Sequence, residues 1–343
     1  MFKRLAGLGI TFATAAEALG IRPSILYRAL HQGEWPNRET LQQFENYLKL
    51  QKELRRKKMI TKKSLTDEVL QNFGLKRDPF TDEIASEEDL KETKQTRQAL
   101  AKMQGAVTKH GWFALTGPKG SGKTQILKRF RSWLKSRKGV VLVEPNTVEG
   151  QYLGPSGLCD AIMRGLGAVY NEHGRLEQRG YELRLAVQAA QASGVKIVVL
   201  IDEAHLLRDD VLLACKRLYE LDRQFGKPIA FILVGQDKLA ARLKTNMELS
   251  EVAQRVDLFE LGGLNGELGA YIEHKLERAG LNGASADVFD KSAIREMSAR
   301  LKQVTGDTPL AANNLAAAAM IVAHELGEKK ITAETIRNIP MSF

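Results

Sequence analysis

Four short runs of apolar residues in the middle of the chain have the length and composition of buried β-strands, and a fifth, more polar segment is predicted as the last strand. They cover residues 112–116, 140–143, 195–201, 228–234 and 256–261. Stretches with helical patterns separate them, at 87–107, 125–134, 150–193, 211–225 and 239–245. Parallel strands that are buried on both faces read as continuous apolar runs and need helical crossovers. The alternation therefore predicts an α/β fold, a parallel sheet covered by helices on both faces.

The two ends of the chain show only helical patterns. After residue 262 these cover 267–279, 291–305 and 310–326, which predicts a separate helical lid. Before residue 51 they cover 13–19, 23–31 and 40–50, which predicts a small all-α domain. The predicted divisions are a helical domain at 1–50, a basic linker at 51–72, the α/β core at 73–262 and the lid at 263–343.

The amino-terminal helical pattern resembles a helix-turn-helix. Ala16 is the small residue where two helices would cross, Gly20 sits at the tight turn, and Leu26 is the apolar anchor of the second helix. The side chains that this arrangement would present to DNA are Arg22, Ser24, Tyr27 and Arg28. An ordinary helical hairpin that contacts other proteins remains open as the alternative.

A phosphate-binding motif follows the first predicted strand. The octapeptide matches the P-loop pattern G-x-x-x-x-G-K-[ST] and lies between a strand and a helix, where its backbone N–H groups can surround phosphate oxygens. We expect Lys123 to neutralise the β- and γ-phosphates of ATP and the Thr124 hydroxyl to bind Mg²⁺. The predicted nucleotide-binding residues are Gly117, Pro118, Lys119, Gly120, Ser121, Gly122, Lys123 and Thr124.

Two acidic residues end the third predicted strand. Asp202 and Glu203 follow a run of apolar residues, as in a Walker B motif. Ligands bind at the carboxyl ends of the strands in open α/β sheets, so both carboxylates are expected beside the P-loop. Asp202 is predicted to contribute to the nucleotide site and to hold Mg²⁺. Glu203 is predicted to orient and polarise the attacking water.

Charge and composition bear on partners. The formal net charge is +10; residues 49–63 contain eight Lys or Arg and one acid, and residues 128–138 contain six and none. Such clusters favour a polyanionic partner such as nucleic acid, although a solvated helix face remains open. No apolar run approaches the ~20 residues of a membrane span. Without a visible signal peptide, and with two isolated cysteines, Cys159 and Cys215, a cytoplasmic location is expected.

These motifs together resemble the AAA+ ATPases, in particular the branch that holds ExeA-type ATPases and the transposition regulators TnsC and phage Mu B protein. The resemblance covers roughly residues 73–343 and is most like the Mu B type, because a small helical domain precedes the ATPase. It is carried by Phe73-Gly74-Leu75, Asp78-Pro79-Phe80, Leu200-Ile201-Asp202-Glu203-Ala204-His205, Leu233-Val234-Gly235-Gln236 and Gln254-Arg255-Val256.

The resemblance implies roles for further residues. Gln236 matches sensor 1, which detects the γ-phosphate. Arg255 matches an arginine finger that acts on the nucleotide of a neighbouring subunit, and Arg242 is the competing candidate. Leu310 stands where the family often has the sensor-2 arginine, so coupling between nucleotide and lid is expected to be weaker or to use another basic residue.

The resemblance also implies a function. It describes an ATP-dependent DNA-binding protein that forms a ring or helical filament on duplex DNA, mostly independent of sequence, and delivers target DNA to a transposase. ATP and Mg²⁺ are the implied cofactors, and a phage- or transposon-encoded protein in a bacterial host is implied. A replication initiator or helicase loader, a protein-binding ExeA-like signalling or secretion ATPase, and a transcriptional regulator remain open.

Four arginines between the second strand and the Walker B residues are candidates for gripping DNA. AAA+ assemblies usually direct this interval toward the central axis, where phosphates would be contacted. The candidates are Arg164, Arg175, Arg179 and Arg184. Salt bridges within or between subunits are the alternative role for the same side chains.

Overall fold

The chain forms two compact units. The computed structural model describes residue 16 and residues 21–32, 35–38, 40–42, 44, 64–81, 89–145, 153–171, 174–221, 227–304 and 306–339. The smaller unit comprises residues 1–63 together with 338–343, and the larger unit comprises residues 64–337.

In the smaller unit, helix α1 (Pro23–Gln32) packs around a small apolar core. Ala16, Leu26, Ala29 and Phe44 are buried there. The predicted DNA-facing side chains of Arg22, Ser24, Tyr27 and Arg28 are exposed. The first predicted helix, apart from Ala16, and residues 51–63 of the predicted linker lie outside the described residues.

The larger unit is built on a five-stranded parallel sheet, which confirms the predicted fold class. The strands are β1 (Trp112–Thr116), β2 (Val140–Val143), β3 (Lys196–Ile201), β4 (Ile229–Gly235) and β5 (Val256–Glu260). Their order is β2-β3-β4-β1-β5, and every neighbouring pair is parallel. All the carboxyl ends therefore lie at one edge of the sheet and all the amino ends at the other.

Alternate residues of the central strands enter two different apolar cores. In β3, Ile197, Val199 and Ile201 face one core, whereas Val198 and Leu200 face the other. The first core contains residues of α5 (Pro155–Gly165), α6 (Leu176–Ala192) and α7 (Asp209–Tyr219); the second contains residues of α3 (Lys94–Thr108) and α4 (Lys123–Lys135). Because both faces are covered, β4 and the interior of β3 are apolar throughout, whereas the edge strand β5 carries the exposed residues Asp257 and Glu260.

Two helix ends lie well away from the predicted ones. Helix α3 begins at Lys94 and not at residue 87, because Thr93 forms a capping box with Thr96. Helix α7 ends at Tyr219 and not at residue 225. Two later helices, α8 (Asp237–Thr245) and α9 (Ser250–Ala253), also contribute residues to the first core.

The carboxyl-terminal part of the larger unit is helical, as predicted. It contains α10 (Leu268–Arg278), α11 (Ser285–Val288), α12 (Lys291–Val304), α13 (Pro309–Glu325) and α14 (Ala333–Arg337). An isolated parallel bridge joins Phe289 to Ile331. None of the helices in the described ranges is long and apolar enough to cross a membrane.

Residues 64–81 associate with the lid. Helix α2 (Asp67–Asn72) lies within the predicted linker and contacts α13. The Lys76 amide donates to Ala279 O at 2.9 Å. The buried Asp89 carboxylate accepts from Arg77 at 2.6 Å and from Arg278 at 2.9 Å. Residues 64–81 therefore belong to the larger unit, and they connect the amino-terminal end of that unit to the lid.

The lid touches the P-loop at Gly120. The Leu310 amide, in the first turn of α13, donates to Gly120 O at 3.3 Å. A Cβ atom at Gly120 would lie 2.3 Å from the Leu310 Cβ, and the φ angle of Gly120 is +80°. Only glycine combines this close approach with a left-handed backbone at no steric cost.

We therefore predict that Gly120→Ala destabilises the larger unit more than Gly122→Ala does. Gly122 also has a left-handed φ, +97°, but no atom lies within 4 Å of a Cβ added there. Both substitutions carry about 1–2 kcal/mol of backbone strain, and only the first adds a collision with the lid. Thermal unfolding of both variants measures the difference. Equal melting temperatures would contradict the contact.

Candidate nucleotide site

The predicted P-loop connects β1 to α4 at the carboxyl edge of the sheet. Gly120 and Gly122 are left-handed, and Gly122 forms the N-cap of α4. The first N–H groups of a helix have no partner inside it, so those of Lys123 and Thr124 are available to an anion. Thr124 is exposed, and Ser121 is buried. The loop therefore has the backbone and the helix dipole that a polyphosphate needs.

Lys123 folds over its own loop. Its ammonium donates to Gly117 O and Pro118 O, both at 2.8 Å, and lies 3.4 Å from Ser121 Oγ. Burial lowers the pKa of Lys123, while the carboxylates of Asp237, Glu203 and Asp202 act in the opposite direction. The Lys123 ammonium therefore lies near Asp202, the predicted Mg²⁺ ligand, and Glu203, the predicted catalytic carboxylate.

The two Walker B carboxylates follow β3 at the same edge. Asp202 Oδ1 accepts from the Glu203 amide at 2.8 Å. Glu203 has a φ angle of +52°, a left-handed conformation that L-residues with a side chain avoid. Such strain costs roughly 1–3 kcal/mol and is concentrated at functional sites. Glu203 lines the cavity beside the P-loop that is described below.

His205 is a site residue for which the sequence prediction proposed no role. Its imidazole is buried; Nδ1 lies 3.2 Å from Glu203 Oε2 and 3.4 Å from the Gln236 amide nitrogen. Nδ1 can accept from the amide when unprotonated or donate to the carboxylate when protonated, and it cannot do both. His205 therefore lies between the carboxylate of Glu203, the predicted catalytic residue, and the backbone N–H of Gln236, the predicted sensor. The sequence signal for His205 was its place three residues after Asp202, within one of the motifs that carry the resemblance.

A cavity of about 600 Å³ joins the P-loop to the lid. Its wall includes Lys123, Glu203 and Gln236, and the lid side adds Tyr271, Lys275, Leu310 and Asn313. ATP fits this cavity, because a phosphate cradle lies at one end and a mixed apolar and polar wall at the other. Thr124 and Asp202 are the residues that would hold Mg²⁺. The ion would supply charge neutralisation to the phosphates.

The two candidate finger arginines have different positions. Arg242, on α8, pairs with Asp209 and donates to His205 O at 3.1 Å. Arg255 directly precedes β5 and so lies at the amino edge of the sheet. It pairs with Glu220 at 2.5 Å and donates to Glu251 O at 2.6 Å. About 16 Å of strand, five residues at 3.3 Å each, separates it from the edge that carries the P-loop.

The four candidate DNA-gripping arginines are not equivalent. Arg179 pairs with Asp160, which joins α6 to α5, and this hydrogen bond raises the pKa of Arg179. It therefore takes the salt-bridge role that was left open. Arg164, Arg175 and Arg184 are exposed.

Comparison with known proteins supports the fold and its chemistry. Residues 107–243 match the family model described as "AAA domain". This segment includes the P-loop, the Walker B residues and Gln236. The chain therefore contains an ATPase domain of the AAA+ fold, which converts ATP and water to ADP and phosphate.

A curated relative is "General secretion pathway protein A" of Aeromonas hydrophila, 27% identical over 265 residues. The match covers 76% of this chain and 46% of the relative, so the chain spans about half the length of the curated relative it matches. The match supports the ExeA-type side of the predicted branch. The Mu B-type assignment stays a prediction.

Similar solved structures include Cdc6p from Pyrobaculum aerophilum and Drosophila ORC bound to DNA. The first is 18% identical, with a TM-score of 0.48, and covers 82% of this chain and 73% of the other. The second is 16% identical, with a TM-score of 0.49, and covers 81% of this chain and 67% of the other.

We predict that Glu203→Gln slows ATP hydrolysis by at least about 100-fold and leaves ATP affinity nearly unchanged, because the amide keeps the shape but cannot polarise water. Single-turnover hydrolysis and equilibrium binding measure the two effects separately. Glu248→Gln, an exposed residue with the same loss of charge, is the matched control. Turnover within about twofold of the parent would exclude Glu203 as the catalytic carboxylate.

Proposed function

We propose that the protein is an ATP-dependent DNA-binding switch that assembles on duplex DNA and delivers target DNA to a transposase in the cytoplasm of a bacterial host. ATP bridges neighbouring subunits in this proposal, and hydrolysis releases them. Hydrolysis then sets the lifetime of the assembly. The remoteness of Arg255 from its own nucleotide site is the observation that carries the assembly step.

The position of Arg255 supports action between subunits. Arg255 comes just before β5, whereas the P-loop comes just after β1. Because these two strands are parallel neighbours, the two groups lie at opposite edges of the sheet. An arginine at the amino edge is too far from its own γ-phosphate, but it is half-buried at the surface, where a neighbour can approach. To reach that neighbour's nucleotide, the guanidinium must exchange Glu220 for a phosphate, a stronger anion that offers more acceptor oxygens.

Charge and sequence pattern support DNA as the partner. The net charge of +10 and the basic clusters favour a polyanion, and the exposed side chains of α1 fit a helix-turn-helix reader. Contacts made mainly to phosphates give weak sequence preference. The transposase rests on the resemblance of the motifs to the Mu B and TnsC type.

A secretion-related ATPase with protein partners is the second candidate. The 27% identity to the Aeromonas hydrophila protein over 265 residues favours it. The two candidates differ in ligand, because a secretion ATPase has no need to bind duplex DNA in an ATP-dependent manner.

We predict that Arg255→Ala binds ATP normally but hydrolyses it poorly, and that mixing it with Glu203→Gln restores activity. Each variant supplies at a shared interface the group that the other lacks. At equal amounts, about a quarter of the sites combine Glu203 with a neighbour's Arg255, so about a quarter of parental turnover is expected. Mixing Arg255→Ala with the double variant E203Q/R255A is the control, because it forms no complete site. Absence of recovery at any ratio would contradict action between subunits.

We also predict that binding to duplex DNA requires ATP, increases with DNA length and varies little with sequence. Co-sedimentation with ATP, ADP or no nucleotide measures this, and electron microscopy of the same samples distinguishes a ring from a filament. A pull-down with the DNA-bound protein tests for transposase. Equal DNA binding in ATP and ADP, or protection of a single site, would contradict the proposal.

A further inference from the structure

The amino edge of the sheet carries a row of lysines. Four adjacent strands, in the order β2, β3, β4 and β1, each begin beside one. These residues, called the edge lysines below, are Lys138, Lys196, Lys227 and Lys109. Lys196 is the first residue of its strand, and the others precede theirs by two or three residues. The sheet order brings together cations that are far apart in sequence.

The edge lysines have no carboxylate partner among the described residues. Lys109, Lys138 and Lys227 are exposed, and Lys196 is half-buried. The Lys196 ammonium donates to Thr108 O at 3.3 Å. The Lys227 ammonium contacts the Tyr219 hydroxyl and lies 4.3 Å from the centre of its ring. Within the part of the chain that the structure describes, no ion pair therefore neutralises their positive charge.

The described segments that lead directly into the four strands add positive charge. The chain segments 108–111, 136–139, 193–196 and 227–228, which lead into the four strands, contain no Asp or Glu. Arg137 lies 4.8 Å from the centre of the Trp133 ring, and Lys135 is exposed. The row ends at β5, where Arg255 is paired with Glu220.

The spacing of the row suits a nucleic-acid backbone. Neighbouring strands are about 4.8 Å apart, so four strand starts extend over about 14 Å. Each strand of duplex DNA carries a phosphate every ~3.4 Å of its axis, so several phosphates lie within that length. The row is therefore long enough to contact more than one phosphate of a backbone.

We propose that the edge lysines bind the sugar-phosphate backbone of duplex DNA. The inference rests on the proposed function for the identity of the ligand and adds a surface that the sequence prediction did not assign. The row lies at the opposite edge of the sheet from the nucleotide cavity, so DNA and ATP occupy different surfaces of one subunit. Because the contacts are to phosphates, they carry no sequence information.

The test compares two quadruple variants with the same change in charge. K109Q/K138Q/K196Q/K227Q removes the edge lysines, and K291Q/K302Q/K329Q/K330Q removes four exposed lysines from the lid. The affinity of the full chain for a random-sequence duplex is measured with ATP at several salt concentrations. Four lost phosphate contacts reduce the slope of log affinity against log salt by about 3.6 units, and the lid variant keeps the parental slope.

The outcomes separate this inference from the proposed function. A parent chain that fails to bind DNA at low salt, with or without ATP, refutes both. A parent that binds DNA, with an edge variant of unchanged slope, overturns the edge surface alone. An equal loss of slope in both variants also overturns it, because total charge then explains the effect.

Folding is checked by far-ultraviolet circular dichroism and thermal unfolding, in which both quadruple variants should match the parent. If the edge variant does not fold, K109Q/K138Q is measured instead, since both residues are exposed and precede their strands. We expect this pair to lose about 1.8 units of slope. Parental slope in the pair overturns the proposal.

Discussion

The common direction of the five strands determines where every functional group of the larger unit lies. Parallel strands place all their carboxyl ends at one edge, and that edge carries the P-loop after β1, the acids after β3 and Gln236 after β4. The amino edge receives what precedes each strand, namely Arg255 and the edge lysines. A single constraint of chain direction thus separates the nucleotide-site groups from the groups that we propose to contact neighbouring subunits or DNA. Both sheet faces must be covered for this arrangement to persist, and the helices supply that cover.

The lid and the phosphate loop are in direct contact. Leu310, in the place of a sensor-2 arginine, donates its amide to Gly120 O and packs its side chain where a Cβ of Gly120 would lie. A change in the conformation of the loop at Gly120 would therefore act directly on the lid at Leu310. Lys123, which contacts carbonyls of the same loop, must leave them to meet phosphates. In the proposed cycle, nucleotide entry changes the surface on which Leu310 rests.

On the Walker B side of the cavity, several side chains meet around the buried imidazole of His205. His205 lies between the Glu203 carboxylate and the Gln236 amide, and Arg242 holds its backbone through His205 O and Asp209. The left-handed Glu203 is contacted by Asp202 through its amide and by His205 through its carboxylate. Arg242 contacts this group within its own subunit, whereas Arg255 lies at the opposite edge of the sheet.

Local sequence determined the strands, most helices and the phosphate loop of this protein. Apolar runs such as 228–234 admit little besides a buried strand, and a glycine loop between strand and helix has a specific chemistry that does not depend on distant residues. Helix ends were harder, because Thr93 caps α3 with a side chain that only the folded turn brings to Thr96. The order of the strands, and with it the row of Lys138, Lys196, Lys227 and Lys109, was decided by tertiary structure, since residues up to 118 positions apart become neighbours only across the sheet. The pairing of Arg179 with Asp160 and the contact of Leu310 with Gly120 were likewise beyond the sequence, because a side chain's partner depends on packing between elements and not on its own neighbours along the chain.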